Sequence, residues 1–288
     1  MYLNNVNNIL TLFLITIKNK ELRNMIDYSF DGGKRLRPMI IYELCNNSKI
    51  NISNKIRDNL IIGIELLHSA SLILDDMPNM DNDIHRRGKL CVYKMFGLRK
   101  SKLVANYMFL LSSKYFYLNT NTNNKNISIS KFTNLVNIIS KQNSNISKGQ
   151  LYDLNITDSN IQFTSIEKIN LKTYPLFVIA FLSPFIISTN EYNTKYNTIE
   201  DKILLLSKNF AYMFQINDDF EDIEKDMESN NINNHIKLLG LDGSIKLYNN
   251  CRNEFIETLK MLDVYTDFFI LLLKKLDTKF IINGGKLL

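Results

Sequence analysis

Apolar residues recur along this chain at helical spacing and almost never alternate. Ile9, Leu12, Phe13 and Ile17, then Leu22, Met25 and Ile26, fall three and four apart, so residues 1–30 predict one or two helices. The same period predicts helices over 39–47, 55–76, 98–118, 131–157 and 201–226, with two more closing the chain. Asn-rich runs at 119–126 and 229–234 read as loops. Residues 166–188 predict a long apolar helix that Pro175 interrupts, with a kink just after Lys172 and Thr173. Only 10 Gly and 4 Pro in 288 residues argue against a turn-rich β protein. Without persistent alternation, internal repeat or evident linker, residues 1–288 read as a single all-α domain, a helical bundle.

Composition narrows the function classes. The formal charge is +6, but the lysines are spread along the chain in no dense basic run, which favours a small anionic substrate over nucleic acid. Cys45, Cys91 and Cys251 are far apart and in no metal-ligand spacing, so they read as thiols of a reducing compartment, the cytoplasm. The apolar segment 9–17 lacks a basic flank and a small-residue cleavage site, so no targeting signal is expected. The longest apolar stretch, 176–187, is shorter than a membrane span and carries Ser183 and Pro184, so no stable membrane insertion is expected.

The chain's candidate chemistry is concentrated in residues 61–88, IIGIELLHSASLILDDMPNMDNDIHRRG. An apolar helical run ends in Asp75, Asp76, Asp81 and Asp83, followed by Arg86 and Arg87. His68, seven residues before Asp75, shares its helical face two turns away. Pro78 cannot continue the helix, so Asp81 must come from a segment folded back over the helix end. Unpartnered, these acids would repel one another and raise each other's pKa values. Mg2+ removes that difficulty and usually completes its shell with substrate phosphates, which the planar guanidinium forks also suit. The bland alternative is a helix end with a solvated charge cluster. Likewise, 31–38, DGGKRLRP, is a plausible anion cradle or an ordinary basic loop, and His68 alone reads equally as a core histidine.

A second acidic helix end, QINDDFED at 215–222, mirrors the first. Asp218 and Asp222 are spaced i, i+4 on one face, Asp219 is rotated about 100° away, and Gln215 lies one turn earlier near that face. Two such ends, each supplying Mg2+ ligands, would be able to enclose a diphosphate.

The ordered set GGKRLRP (32–38), His68, DDMPNMD (75–81), RRG (86–88), GQLYDL (149–154), KT (172–173) and QINDDFED (215–222) resembles the trans-prenyltransferases, the isoprenyl diphosphate synthases, especially the geranylgeranyl and farnesyl diphosphate synthases. The resemblance spans about residues 22–240 and implies an isoprenoid-synthase-type bundle with a central cavity. It implies that Asp75, Asp76, Asp81 and Asp218 hold Mg2+ with support from Asp219 and Asp222. Arg86 and Lys172 would bind the allylic diphosphate, and Lys34, Arg35, Arg37, His68 and Arg87 isopentenyl diphosphate. Thr173 and Gln215 would flank the developing allylic cation. A homodimer is the family's habit.

Product length is expected to follow from the helix before Asp75. In the family a bulky aromatic just before the first acidic motif closes the pocket at farnesyl length. Here Ala70 and Ser71 are small, which implies a deeper floor formed by Leu67, or by Tyr107 and Phe109, and hence a geranylgeranyl (C20) product with farnesyl as the alternative. Some positions depart from the family pattern. The loop 223–237 looks shortened, with only Lys225 or Lys237 near the usual phosphate-binding lysine, Ala105 and Asn106 replace a usual Gly-Asp, and the C-terminus offers Lys286 but no arginine. A weakly active regulatory subunit is therefore a second reading. A terpene cyclase or head-to-head condensing enzyme is a third, disfavoured by GGKRLRP and His68.

Overall fold

The computed structural model describes residues 1–117, 128–153, 170–188, 196–221, 235–282 and 284–287. Its helices are α1 (Tyr2–Thr16), α2 (Lys20–Phe30), α3 (Leu36–Asn46), α4 (Asn54–Asp75), α5 (Val92–Phe96), α6 (Leu98–Tyr117), α7 (Ile129–Asp153), α8 (Tyr174–Ile187), α9 (Tyr196–Glu221), α10 (His235–Met261) and α11 (Asp267–Ile282). The Asn-rich runs 119–126 and 229–234 and the ends of the helices expected over 131–157 and 201–226 lie outside the described residues, as do Asp222 and Lys225. No described helix is long and apolar enough to cross a membrane. The chain divides into two compact units, residues 1–137 with 183–189 and residues 138–182 with 190–288.

The first unit is built on α4. Every residue from 59 to 67 is buried, because α6, α3, α1 and α2 cover the helix on several sides. A helix apolar nearly all round belongs in such a position. Gly63 lets α6 approach: a Cβ there would stand 3.0 Å from the Phe116 ring, and Ser112 Oγ donates to the Gly63 carbonyl at 2.8 Å. One element has no counterpart in the hydrophobic pattern. Strands β1 (His85–Arg86) and β2 (Lys89–Leu90) form a short antiparallel hairpin, with Arg86 opposite Lys89.

The second unit has an aromatic core. Phe177 and Phe210 meet edge to face at 4.9 Å, and Phe181, Phe255 and Phe269 extend the cluster. Pro175 occupies the first turn of α8, where its missing N–H costs nothing, so the expected interruption is the start of that helix, with Thr173 in the turn before it. Helix α10 bends at Gly240, whose φ is +70°.

Candidate active site

In the first unit, α4 ends at Asp75 with Asp76 as its C-cap. The chain then folds back as Pro78 requires: the Asp81 N–H donates to the Asp75 carbonyl at 2.9 Å, and the Asn82 N–H to that of Met77 at 3.1 Å. Asn82 takes a left-handed φ of +54°, which asparagine tolerates, and buried Met77 anchors the loop. This brings Asp81 over Asp75. Asp81 is exposed and Asp75 half-buried, whereas Asp76 is buried and ion-paired with Arg86 Nε. Burial pushes the Asp76 carboxyl up from its ordinary value, and the adjacent guanidinium pulls against that shift.

The hairpin separates the two arginines. Arg87 and Gly88 form its turn with φ of +55° and +77°, the positive pair of a type I′ connection. Arg86, on β1, reaches Asp76 and, through Nη2 at 3.4 Å, Asp83. Arg87 instead lies across the glycine loop, its Nη1 donating to the carbonyls of Ser29 (3.3 Å) and Asp31 (3.4 Å). A Cβ on Gly32, whose φ is +72°, would stand 3.2 Å from Arg87 Cβ, so glycine there allows the two segments to close.

The basic loop is organised from within. Arg35 sits at φ +53° as the N-cap of α3, and its Nη1 meets Glu65 Oε1 at 2.6 Å while its Nε donates to Asn7 at 3.2 Å. This pair is almost wholly buried, so Arg35 braces the loop against α4, and Lys34 is left exposed at the tip. Arg37 Nη1 lies 3.3 Å from His68 Nε2. Guanidinium only donates, so Nε2 accepts and the ring proton is assigned to Nδ1. Burial, then the charges of Arg37, Arg87, Arg86 and Arg35, hold the imidazole well below its ordinary pKa. The neutral ring thus presents a buried Nδ1–H that meets no hydrogen-bond acceptor among the described residues. Such a donor suits an anion.

In the second unit the separate motifs join into one hydrogen-bonded chain. Thr173 Oγ1 donates to Gln215 Oε1 at 2.9 Å, and Gln215 Nε2 donates to Asp219 Oδ1 at 2.9 Å. Gly149 explains how Thr173 is placed: a Cβ there would stand 3.0 Å from the Leu171 backbone, so α7 packs directly on the turn that carries half-buried Lys172 and Thr173. Asp218 accepts from Lys279 Nζ of α11 at 2.9 Å, and so does Glu221. Burial works against the Lys279 charge, but the two carboxylates more than offset it and raise the pKa.

Among the described residues, no three His, Cys, Asp or Glu side chains group tightly enough to cage an ion unaided. The donor set at both acidic ends is nevertheless all oxygen, with Asp75 and Asp81 brought together at a partly open helix end. That fits Mg2+, which keeps waters and shares one or two carboxylates with substrate phosphates. Asp76 would have to yield Arg86, and Asp218 would have to yield Lys279, before either ligated an ion. Of the chain-length positions, Leu67 and Ala70 are fully packed, Ser71 is half-buried with its Oγ on the His68 carbonyl, and Tyr107 is 38% exposed on α6. Tyr107 therefore stands at the surface, not in the core of its unit. Sequence reasoning did not identify Glu65, Asn7 or Lys279. A lone acid in the run IIGIELL was a usable signal, because a buried carboxylate needs a cation; Lys279, 61 residues beyond Asp218, gave none.

Comparison with known proteins follows the same lines. Residues 19–234 match the family model described as polyprenyl synthetase. A farnesyl diphosphate synthase of Micrococcus luteus is 32% identical over 86% of this chain and 85% of its own. One of Buchnera aphidicola is 31% identical over 82% and 84%. The solved structure of a geranyltransferase from Legionella pneumophila superposes with a TM-score of 0.81 at 22% identity, covering 96% of this chain and 95% of that one.

Proposed function

Because the chain belongs to the polyprenyl synthetase family and is a trans-prenyltransferase, we propose that it condenses isopentenyl diphosphate with allylic diphosphates to a short-chain prenyl diphosphate, geranylgeranyl diphosphate (C20). The observation that carries this reading is the hairpin turn, which sends Arg86 to the acidic end of α4 and Arg87 to the glycine loop beside Arg37 and His68. Two diphosphates need two separate cationic seats, and adjacent arginines on one strand and its turn provide one for each.

In this reading Arg86 and Lys172 hold the allylic diphosphate, while Lys34, Arg37, Arg87 and the His68 Nδ1–H hold isopentenyl diphosphate, with Arg35 bracing their loop through Glu65. Mg2+ held by Asp75, Asp76, Asp81 and Asp218, with Asp219 and Asp222 in support, supplies stabilisation of the negative charge on the departing pyrophosphate. The allylic C–O bond breaks with its electron pair on pyrophosphate. The alkene of isopentenyl diphosphate forms the new C–C bond to the allylic cation, and loss of a proton restores a double bond. Thr173 and Gln215, fixed to each other and to Asp219, keep oxygen lone pairs beside that cation. The reading requires that the cation meet the alkene before it meets water.

The small, half-buried side chain of Ser71 supports C20; the similarity to farnesyl diphosphate synthases favours farnesyl diphosphate (C15) as a second reading. The working form in this proposal is a cytoplasmic homodimer of one catalytic domain, consistent with three buried free thiols. Pyrophosphate release by the purified chain, with and without Mg2+, tests the core of the reading. Asp75→Ala and Asp218→Ala are each expected to lose most turnover while keeping the helical fold. Near-normal turnover in both variants would overturn the assignment.

A further inference from the structure

We propose that Lys279 is the resident counter-cation of the second acidic end, holding Asp218 and Glu221 when no diphosphate is bound and making divalent-cation binding there conditional on a diphosphate. The proposal rests on the functional reading above in taking Asp218 as a metal ligand.

Lys279 Nζ lies 2.9 Å from Asp218 Oδ1 and 2.9 Å from Glu221 Oε2, two carboxylates spaced i, i+3 on α9. The helix that presents it is firmly mounted on both sides of the lysine. Two residues before it, Asp277 accepts from Arg252 Nε at 2.9 Å and from the Tyr248 hydroxyl at 3.0 Å. Directly after it, Phe280 stacks on Tyr248 at 3.8 Å and meets Phe220 edge to face at 5.4 Å, and Phe220 lies between the two acids in sequence. Helix α11 is thus held in register against α9, and the mobile part is the four-carbon stem of Lys279.

The ammonium group is not locked in. The Lys279 side chain is 24% exposed, Asp218 35% and Glu221 49%, which is the setting of weak, exchangeable ion pairs and not of a buried structural bridge. A groove of about 670 Å³ bordered by Glu221, Lys274, Lys275 and Lys279 gives the stem room to turn. Competition then sets the order of events. A divalent cation that reaches Asp218 must first displace the ammonium that Asp218 and Glu221 hold between them. A diphosphate changes that balance, because Lys279 gains an anionic partner of its own and releases Asp218.

The test uses Mn2+ as the probe, with bound ions counted by electron paramagnetic resonance, on the full chain and its Lys279→Met and Lys279→Arg variants. Without pyrophosphate, Lys279→Met is expected to bind one additional Mn2+ per chain about tenfold more tightly than the unaltered protein, and Lys279→Arg to behave like the unaltered protein. Adding Asp218→Asn to Lys279→Met is expected to remove the gain. With inorganic pyrophosphate present, the unaltered protein acquires the same ion. Equal Mn2+ binding by the unaltered chain and Lys279→Met, or a gain that survives Asp218→Asn, would overturn the proposal. If Lys279→Met does not fold, Lys279→Gln is read by the same count. Failure of the unaltered chain to elongate a prenyl diphosphate would overturn the functional reading instead, and leaves the Mn2+ comparison to be decided on its own result.

Discussion

Two buried or half-buried arginines show how the same side chain serves different ends. Arg35 and Glu65, 9% and 2% exposed at the side chain, form a pair that water scarcely reaches. Removing one member of such a pair strands the other charge, at a cost of about 3–5 kcal/mol. Glu65→Ala is therefore expected to lower the urea midpoint steeply, while the double change Arg35→Met, Glu65→Leu recovers most of the loss. A small effect of Glu65→Ala would show that the pair is not buried in solution. Arg86, by contrast, is 31% exposed at the side chain and stands at the acidic end. Arg86→Lys keeps the charge and loses the fork; with charge-assisted hydrogen bonds contributing about 1.5–3 kcal/mol, kcat/KM for the allylic substrate should fall about 10- to 100-fold. Arg87→Lys should act chiefly on isopentenyl diphosphate. Equal effects of both variants on both substrates would contradict the proposed division of the two diphosphates between these arginines.

At the scale of elements, legibility followed the length of the signal. Helix α4 is legible because an apolar run at helical spacing precedes two aspartates and a proline; Pro78 marks where the chain must leave the helix, and the Asp81 N–H bond to the Asp75 carbonyl completes the fold-back. The hairpin was not readable: strands of two residues carry no alternation, and its turn puts Arg87, not the usual Asn or Gly, at φ +55°. The partners of Arg35 and Asp218 were hidden for a different reason, since they lie 30 and 61 residues away and depend on which helix faces which. Gly149 was noticed only as part of a motif, yet its physical reason is the close approach to Leu171. Gly149→Val is expected to push the 170–173 turn outward, weaken the Thr173–Gln215 bond and cut turnover at least tenfold, with circular dichroism still helical. Turnover unchanged in that variant would mean that Thr173 is placed by something other than this contact.

At the scale of the molecule, the scarcity of Gly and Pro and the unbroken helical period led to the all-α architecture, which is also that of the superposed geranyltransferase. Product length is where burial refines the sequence reading. Ala70 is fully packed, seven residues after Gly63 and so on nearly the same face, the one turned to α6. A tyrosine there meets protein before it meets a product, and should cost stability by overpacking. Ser71 is half-buried, so Ser71→Phe is the cleaner test: if the main product is C20 as proposed, this variant is expected to shorten it to C15 while sparing the first condensation. The most direct measurement is mass analysis of the products that the purified, unaltered chain makes from isopentenyl diphosphate and Mg2+ with dimethylallyl, geranyl or farnesyl diphosphate as primer. Elongation of each primer to geranylgeranyl diphosphate is the expected result; a chain that elongates none of them, or that stops at farnesyl diphosphate, would overturn the C20 reading.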